Sequence, residues 1–250
     1  MASGAHSLSL VDDYPIAAPS RLRFPSLTQR WARLTFVHWR YDPEDVQAIL
    51  PDGLTVDTFD GSAWVGLVPF QMIDVRPPWI PTLHPLTTFP ETNIRTYVRG
   101  PRGQGVWFSS LEISRLLGVV VARLGFGVPY VWADMSIDQT SRAIRYRSRR
   151  RWPGPRGAAS LVEVEIGEDL ARMGDFERFL TSRWATYNLL PGDRLGWVPV
   201  SHEPWQLRSA RIVELTEDLT TAAGLPRPTS EPIAHFTSGV TARIGWPRPA

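Results

Sequence analysis

Along most of its length the chain alternates apolar and polar residues with a period of two, the pattern of β-strands that bury one face. Trp31 to Trp39 is the first such run, with Trp31, Arg33, Thr35, Val37 and Trp39 expected on one side. Leu54 to Phe59 and Ser62 to Met72 follow, joined at Asp60-Gly61, a dipeptide suited to the positive φ angles of a tight hairpin. Glu91 to Val98 and Gly105 to Glu112 form the next pair. Val131 to Asp138, Arg142 to Arg151, Ala159 to Ile166 and Val198 to Glu203 continue the series, and Trp205 to Leu215 fits a closing strand or a helix equally well.

Helical spacing is confined to short segments. Asp42 is placed to cap a helix that starts at Pro43 and stops before Pro51. Ser114 to Leu124 reads as a second helix ended by Gly125 and Gly127, and Asp175 caps a third that carries Phe176, Phe179, Leu180 and Trp184 on one side. Five prolines (77, 78, 81, 85 and 90) mark Pro77 to Pro90 as an irregular crossing loop, because proline cannot donate to a central ladder. The expected organisation is a mobile lead-in over 1–28, a single β-rich domain over 29–215 and a tail over 216–250.

The composition is 43% hydrophobic with 11 Trp, 10 Phe and 6 Tyr, enough to bury a sizeable core. No run approaches the 18 or more apolar residues of a membrane-spanning helix, and Met1 to Pro19 carries Asp12 and Asp13 in place of a secretory pattern, so the cytoplasm is the expected compartment. The absence of cysteine excludes disulfides, thiolate nucleophiles and cysteine-bound metals. All basic residues are arginine, so no side chain can form an imine with a carbonyl substrate. The densest charge, Arg145, Arg147, Arg149, Arg150, Arg151 and Arg156, alternates with Ile144, Tyr146 and Ser148 and reads as a charge-guarded edge strand, not as a nucleic-acid surface.

Chemistry concentrates on one strand. The period of two puts Glu91, Asn93, Arg95 and Tyr97 on one face and Thr92, Ile94, Thr96 and Val98 on the other. A guanidinium fork matches a carboxylate bidentately, which makes Arg95 the candidate anchor for an acid, with Asn93 and Tyr97 beside it. Glu91 is a general base if desolvated or the counter-ion of Arg95, the pairing being the stronger expectation. Among His6, His38, His84, His202 and His235, no two have metal-ligand spacing, so no metal is expected. His38 is a further candidate base, and His202 is a candidate at the same pocket. Nucleotide-binding, phosphate-cradling and nucleophile-elbow motifs are absent, and no cofactor is expected.

Several runs resemble the bacterial YqjF-like family, an uncharacterised domain of unknown function. They are Leu34-Thr-Phe-Val-His-Trp-Arg-Tyr, Leu50-Pro-Asp-Gly-Leu, Phe59-Asp-Gly-Ser-Ala-Trp-Val-Gly-Leu-Val-Pro-Phe, Phe89-Pro-Glu-Thr-Asn-Ile-Arg-Thr-Tyr-Val, Gly105-Val-Trp-Phe-Ser-Ser-Leu-Glu, Val128-Pro-Tyr, Phe179-Leu-Thr-Ser-Arg-Trp and His202-Glu-Pro-Trp. The resemblance implies a fold similar to acetoacetate decarboxylase: a mainly β, cone-like closed antiparallel sheet with a central pocket and two to three flanking helices. Those decarboxylases use a Schiff-base lysine, which this chain lacks. Three readings follow: a lyase, hydratase or cyclase acting on a small carboxylic or keto acid without an imine; a ligand-binding sensor or carrier; and a scaffold whose polar row is a salt-bridge network. The expected partner is a small molecule, with neither nucleic acid nor membrane, and a homo-oligomer is left open.

Overall fold

The computed structural model describes residues 14–82, 87–116 and 129–250. Its strands run in chain order as β1 (Leu27–Tyr41), β2 (Thr55–Val56), β3 (Ala63–Arg76), β4 (Phe89–Gly100), β5 (Gly103–Ile113), β6 (Tyr130–Gln139) and β7 (Ala143–Trp152). The second half adds β8 (Ala159–Asp169), β9 (Ala185–Leu190), β10 (Arg194–Ser201), β11 (Arg208–Glu217), β12 (Ile233–Ile244) and β13 (Arg248–Pro249). Three short helices lie among the described residues: α1 (Pro43–Gln47), α2 (Asp175–Thr181) and α3 (Leu219–Ala222).

These strands join in one sheet, ordered β13-β10-β9-β5-β6-β7-β8-β11-β12-β1-β3-β4-β2, with extra pairings of β10 with β12 and of β5 with β4. The extra pairings close the ladder into two circuits. One runs through β5, β6, β7, β8, β11, β12, β1, β3 and β4; the other runs through β9, β5, β4, β3, β1, β12 and β10. The strands common to both form a wall with buried side chains on each face. The mainly β, closed architecture expected from the sequence is present, and the ladder is antiparallel except where β5 pairs in parallel with β6 and β9.

On one face of the wall Val37, Val65, Leu67 and Ile94 pack against Ile144, Tyr146, Val162 and Val164 of β7 and β8. On the other, Leu34, Phe36, Val68, Phe70 and Met72 pack with Trp205 and Val240. Each such side chain contributes roughly 1.5–3 kcal/mol by leaving water. A one-residue slip would exchange the two faces wholesale, so apolar burial on both sides fixes the register.

The alternation in β1 is interrupted, which corrects the single face expected for Trp31 to Trp39. The register against β3 shifts between Ala32 and Val37, and Arg33 adopts a φ of 49°. Trp31 therefore joins Leu34 and Phe36, while Val37 and Trp39 face the other core. On the partner strand β12, Gly239 has a φ of 118°, and Val240 likewise lies on the opposite side from Ala234 and Phe236. A β-carbon on Gly239 would stand 1.9 Å from the Trp31 carbonyl oxygen, so glycine is what lets the two strands change faces together.

Other expectations are corrected. The segment after 216 is no tail: β12 pairs with β1 over most of its length and supplies buried Ala234, Phe236 and Ala242. In the expected lead-in, Tyr14 is buried and Ser26 bonds to β12. The arginine-rich strand β7 lies between β6 and β8, not at an edge. Its charges are neutralised laterally, by Arg145 with Glu163, Arg147 with Asp138 and Arg151 with Asp134, while Arg150 turns inward to a buried ion pair with Glu112.

Asp60 and Gly61 do take positive φ, but β2 pairs with β4, and Phe59 with Ser62 is the bridge across that turn. Asp42 accepts from the Glu44 amide as expected, whereas α2 is capped from Gly174, whose own amide donates to the Glu177 carboxylate. Most of the helix expected over 114–124 lies outside the described residues.

Gly239→Ala should lower stability by roughly 3 kcal/mol or more, because the new methyl meets backbone that cannot yield. That corresponds to a fall of about 6–12 °C in the thermal midpoint. An unchanged midpoint would show that the paired crossing of β1 and β12 does not depend on glycine.

Candidate functional site

The face of the wall that β9 and β10 complete encloses a cavity of about 710 Å³. Glu91, Asn93 and Arg95 enter it from β4, as strand periodicity requires, while Ile94 points into the opposite core. Val68 and Phe70 of β3 lie directly across from Asn93 and Glu91 in the ladder, and Trp31, Leu111, Trp205 and Val200 supply further apolar wall.

Glu91 is 3% exposed, and its Oε2 accepts a hydrogen bond of 3.1 Å from the Tyr130 hydroxyl. Burial pushes its pKa up to about 8, against the pull of hydrogen bonds from Tyr130 and Asn93 and with some repulsion from Glu112. At neutral pH it is therefore mostly a neutral acid. The expected Glu91–Arg95 pair does not form: four residues of extended strand separate their backbones by about 13 Å, and Glu91 turns to Tyr130 instead.

Arg95 forms no ion pair among the described residues. Its guanidinium carbon sits 5.0 Å from the Phe36 ring centroid and 5.8 Å from that of Tyr97, and its Nε–H is buried without a hydrogen-bond partner. Two buried arginines are satisfied differently. Arg150 holds Glu112, and Arg183 donates to Asp57 at 2.7 Å while stacking over Tyr14, Tyr97 and Phe179. Asp57 also accepts from Arg99 and Tyr14; burial raises its pKa, but Arg183 and these bonds outweigh that and hold it below the usual carboxylate range.

His38 and Tyr97 stand behind Arg95 and do not line the cavity. Register places His38, Gly66 and Arg95 side by side across β1, β3 and β4. Gly66 leaves the space that the imidazole fills, since a β-carbon there would lie 2.9 Å from His38 Nε2. The same nitrogen shares a 2.6 Å hydrogen bond with the Tyr97 hydroxyl. Burial holds the His38 pKa well below the usual value, with further lowering by the charges of Arg95 and His235, so the ring is neutral. Burial raises the Tyr97 pKa, while Arg95 and Arg183 pull it back.

His202 packs among aromatic rings, 4.6 Å from Trp184, 4.7 Å from Trp205 and 5.6 Å from Trp31 between centroids. Its Nδ1 lies 2.6 Å from the Glu203 carbonyl oxygen, and burial lowers its pKa to about 4. It supports Trp31 and Trp205, which reach the cavity, and does not line it itself. His235, placed in the expected tail, is buried on β12 with Nε2 3.8 Å from Glu177, while His6 and His84 lie outside the described residues.

The candidate residues thus separate into a cavity set, Glu91, Asn93 and Arg95, and a supporting set, His38, Tyr97 and His202. Tyr130, Phe36, Trp31 and Trp205 were not singled out by sequence reasoning. Tyr130 lies in a run that carries the family resemblance, yet no spacing ties it to a carboxylate 39 residues earlier. Among the described residues, no cluster of three or more His, Asp or Glu side chains is arranged to hold a metal ion.

A family described as an uncharacterized conserved protein, DUF2071, matches residues 28–241. The uncharacterized protein YqjF of Bacillus subtilis (strain 168) is 30% identical over 221 residues, which is 88% of this chain and 90% of that one. Among solved structures, an acetoacetate decarboxylase-like enzyme from Sphingomonas wittichii RW1 matches with a TM-score of 0.64 at 19% identity, covering 100% of this chain and 99% of the other. The enduracididine biosynthesis enzyme MppR complexed with pyruvate matches at 0.63 and 14% identity, over 92% and 93% of the two chains. Acetoacetate decarboxylase from Legionella pneumophila matches at 0.59 and 16% identity, over 98% and 99%. At these identities the likeness establishes the fold. The chain is a member of the YqjF-like DUF2071 family of uncharacterised proteins, built on the acetoacetate decarboxylase-like fold.

Proposed function

We propose that this protein takes a carboxylic or keto acid into the β-lined cavity and transforms it without an imine, as a lyase, hydratase or cyclase would. The observation that carries this reading is an arginine facing the cavity with no carboxylate of its own, on the strand that also presents a carboxylic acid neutral at pH 7. Arg95 is partly withdrawn from water without a counter-ion, and an incoming carboxylate offsets that cost with a bidentate pair. Glu91 then serves as the general acid or base on the bound molecule, positioned by Tyr130 and Asn93. His38 and Tyr97 hold the Arg95 end of the cavity from behind. The lack of lysine keeps imine chemistry out of the reaction, and the complex of MppR with pyruvate supports a keto acid as one class of ligand for a pocket of this fold.

A binder without chemistry uses the same pocket, and the predominance of apolar side chains around the β4 polar row favours it. Product analysis after incubation with a bound acid separates the two readings, since a carrier returns its ligand unchanged.

In a thermal-shift screen of carboxylic and keto acids, a ligand at a hundred times its Kd should stabilise the protein by about 2.7 kcal/mol, a rise of roughly 5–10 °C. Arg95→Ala should fold normally and lose that rise. Retention of the full shift by the variant would remove Arg95 from the site.

The protonation of Glu91 sets a pH dependence. Its pKa is raised, so between about 4.5 and 8 the folded state keeps a proton that the unfolded state has released, and stability falls across that window before levelling off. Acid binding should hold steady from pH 5.5 to 7 and weaken above pH 8, where ionised Glu91 repels the ligand. Glu91→Gln should flatten both profiles; a wild-type slope in the variant would assign the proton elsewhere.

A further inference from the structure

We infer that the acid taken up at Arg95 carries a bulky apolar body, on the order of ten carbons, and is not a three-carbon keto acid. The inference rests on the Arg95 reading above and adds the chemical class of the rest of the molecule.

Volume is the first argument. The cavity measures about 710 Å³. At about 30 Å³ for each water-sized group it has room for some two dozen, and a three-carbon keto acid would occupy only about a quarter of it. Space of this size lies within the range that takes ligands of drug-like dimensions.

The distribution of polarity is the second. Glu91, Asn93 and Arg95 follow one another on the cavity face of β4, and Arg115, Tyr130 and Asn188 add polar groups elsewhere on the lining. Much of the remaining lining is apolar, beginning with Val68, Phe70 and Met72 of the neighbouring strand β3. A short acid gripped by Arg95 would leave most of that wall against water held with few hydrogen-bonding partners. An acid with an extended hydrocarbon body satisfies both halves at once, its carboxylate at the guanidinium and its body along the apolar walls.

The local geometry at Arg95 is the third. The guanidinium lies against the ring of Phe36, with its Nε–H enclosed and no carboxylate claiming it. The guanidinium thus offers one place for a carboxylate, and the cavity is also lined by Val68, Leu111 and, on β10, Val200.

Titration calorimetry with straight-chain monocarboxylates from butanoate to dodecanoate, kept below micellar concentrations, tests this on the unmodified protein. Each added methylene should tighten binding about three- to fourfold until the cavity is filled. Arg95→Ala should weaken every member of the series by a similar factor. Val68→Trp, which fills part of the cavity, should reduce the gain with length. Affinity that does not rise with length, but is still lost in Arg95→Ala, would overturn the apolar-body inference and leave the Arg95 reading standing. Decanol binding as tightly as decanoate, or no acid of any length binding, would overturn both.

Discussion

A wall of strands buried on both faces is the constraint on which the rest of this structure depends. Because β12, β1, β3, β4 and β5 belong to two closed circuits, most side chains along their middles have no solvent side. Their central apolar residues fall either into the dense core against β7 and β8 or onto the cavity side. The paired crossing at Arg33 and Gly239 decides where β1 and β12 exchange those roles, and it delivers Trp31 to the cavity wall. Backbone strain at two positions is thereby coupled to the shape of the space in which a ligand would sit.

Electrostatics follows from the same geometry. A charged group buried within the wall cannot be solvated and must find a partner or give up its charge. Glu112 finds Arg150 across the larger circuit, and Asp57 gathers Arg183, Arg99 and Tyr14 at one end of the wall. Glu91 remains without a cation and responds by keeping its proton. Arg95 remains without an anion and rests on aromatic faces. That one acid and one base on the same strand stay apart, when the wall elsewhere pairs such groups, is what gives the cavity its chemical character. Neutral His38 beneath Arg95 adds no competing charge.

The alternation of β4 was legible from residue order alone, since a strand fixes side-chain direction with a period of two, and Glu91, Asn93 and Arg95 share a face in the structure as expected. The inward turn of Arg150 follows the same parity as Ile144 and Tyr146. The family resemblance led to the correct fold, and the absence of lysine is by itself enough to exclude imine chemistry. Tertiary structure decided what depends on contacts distant in the chain. Only pairing with β1 shows that the Pro-rich C-terminal stretch holds a central strand. Only the crossing at Arg33 shows that Trp31 and Val37 face opposite ways, because a positive φ on a non-glycine residue leaves no mark in a hydrophobic pattern. That Glu91 holds its proton and does not pair with Arg95 was hidden in the sequence for a physical reason: the period of two shows only that they share a face, while desolvation and a tyrosine 39 residues away act through the folded chain.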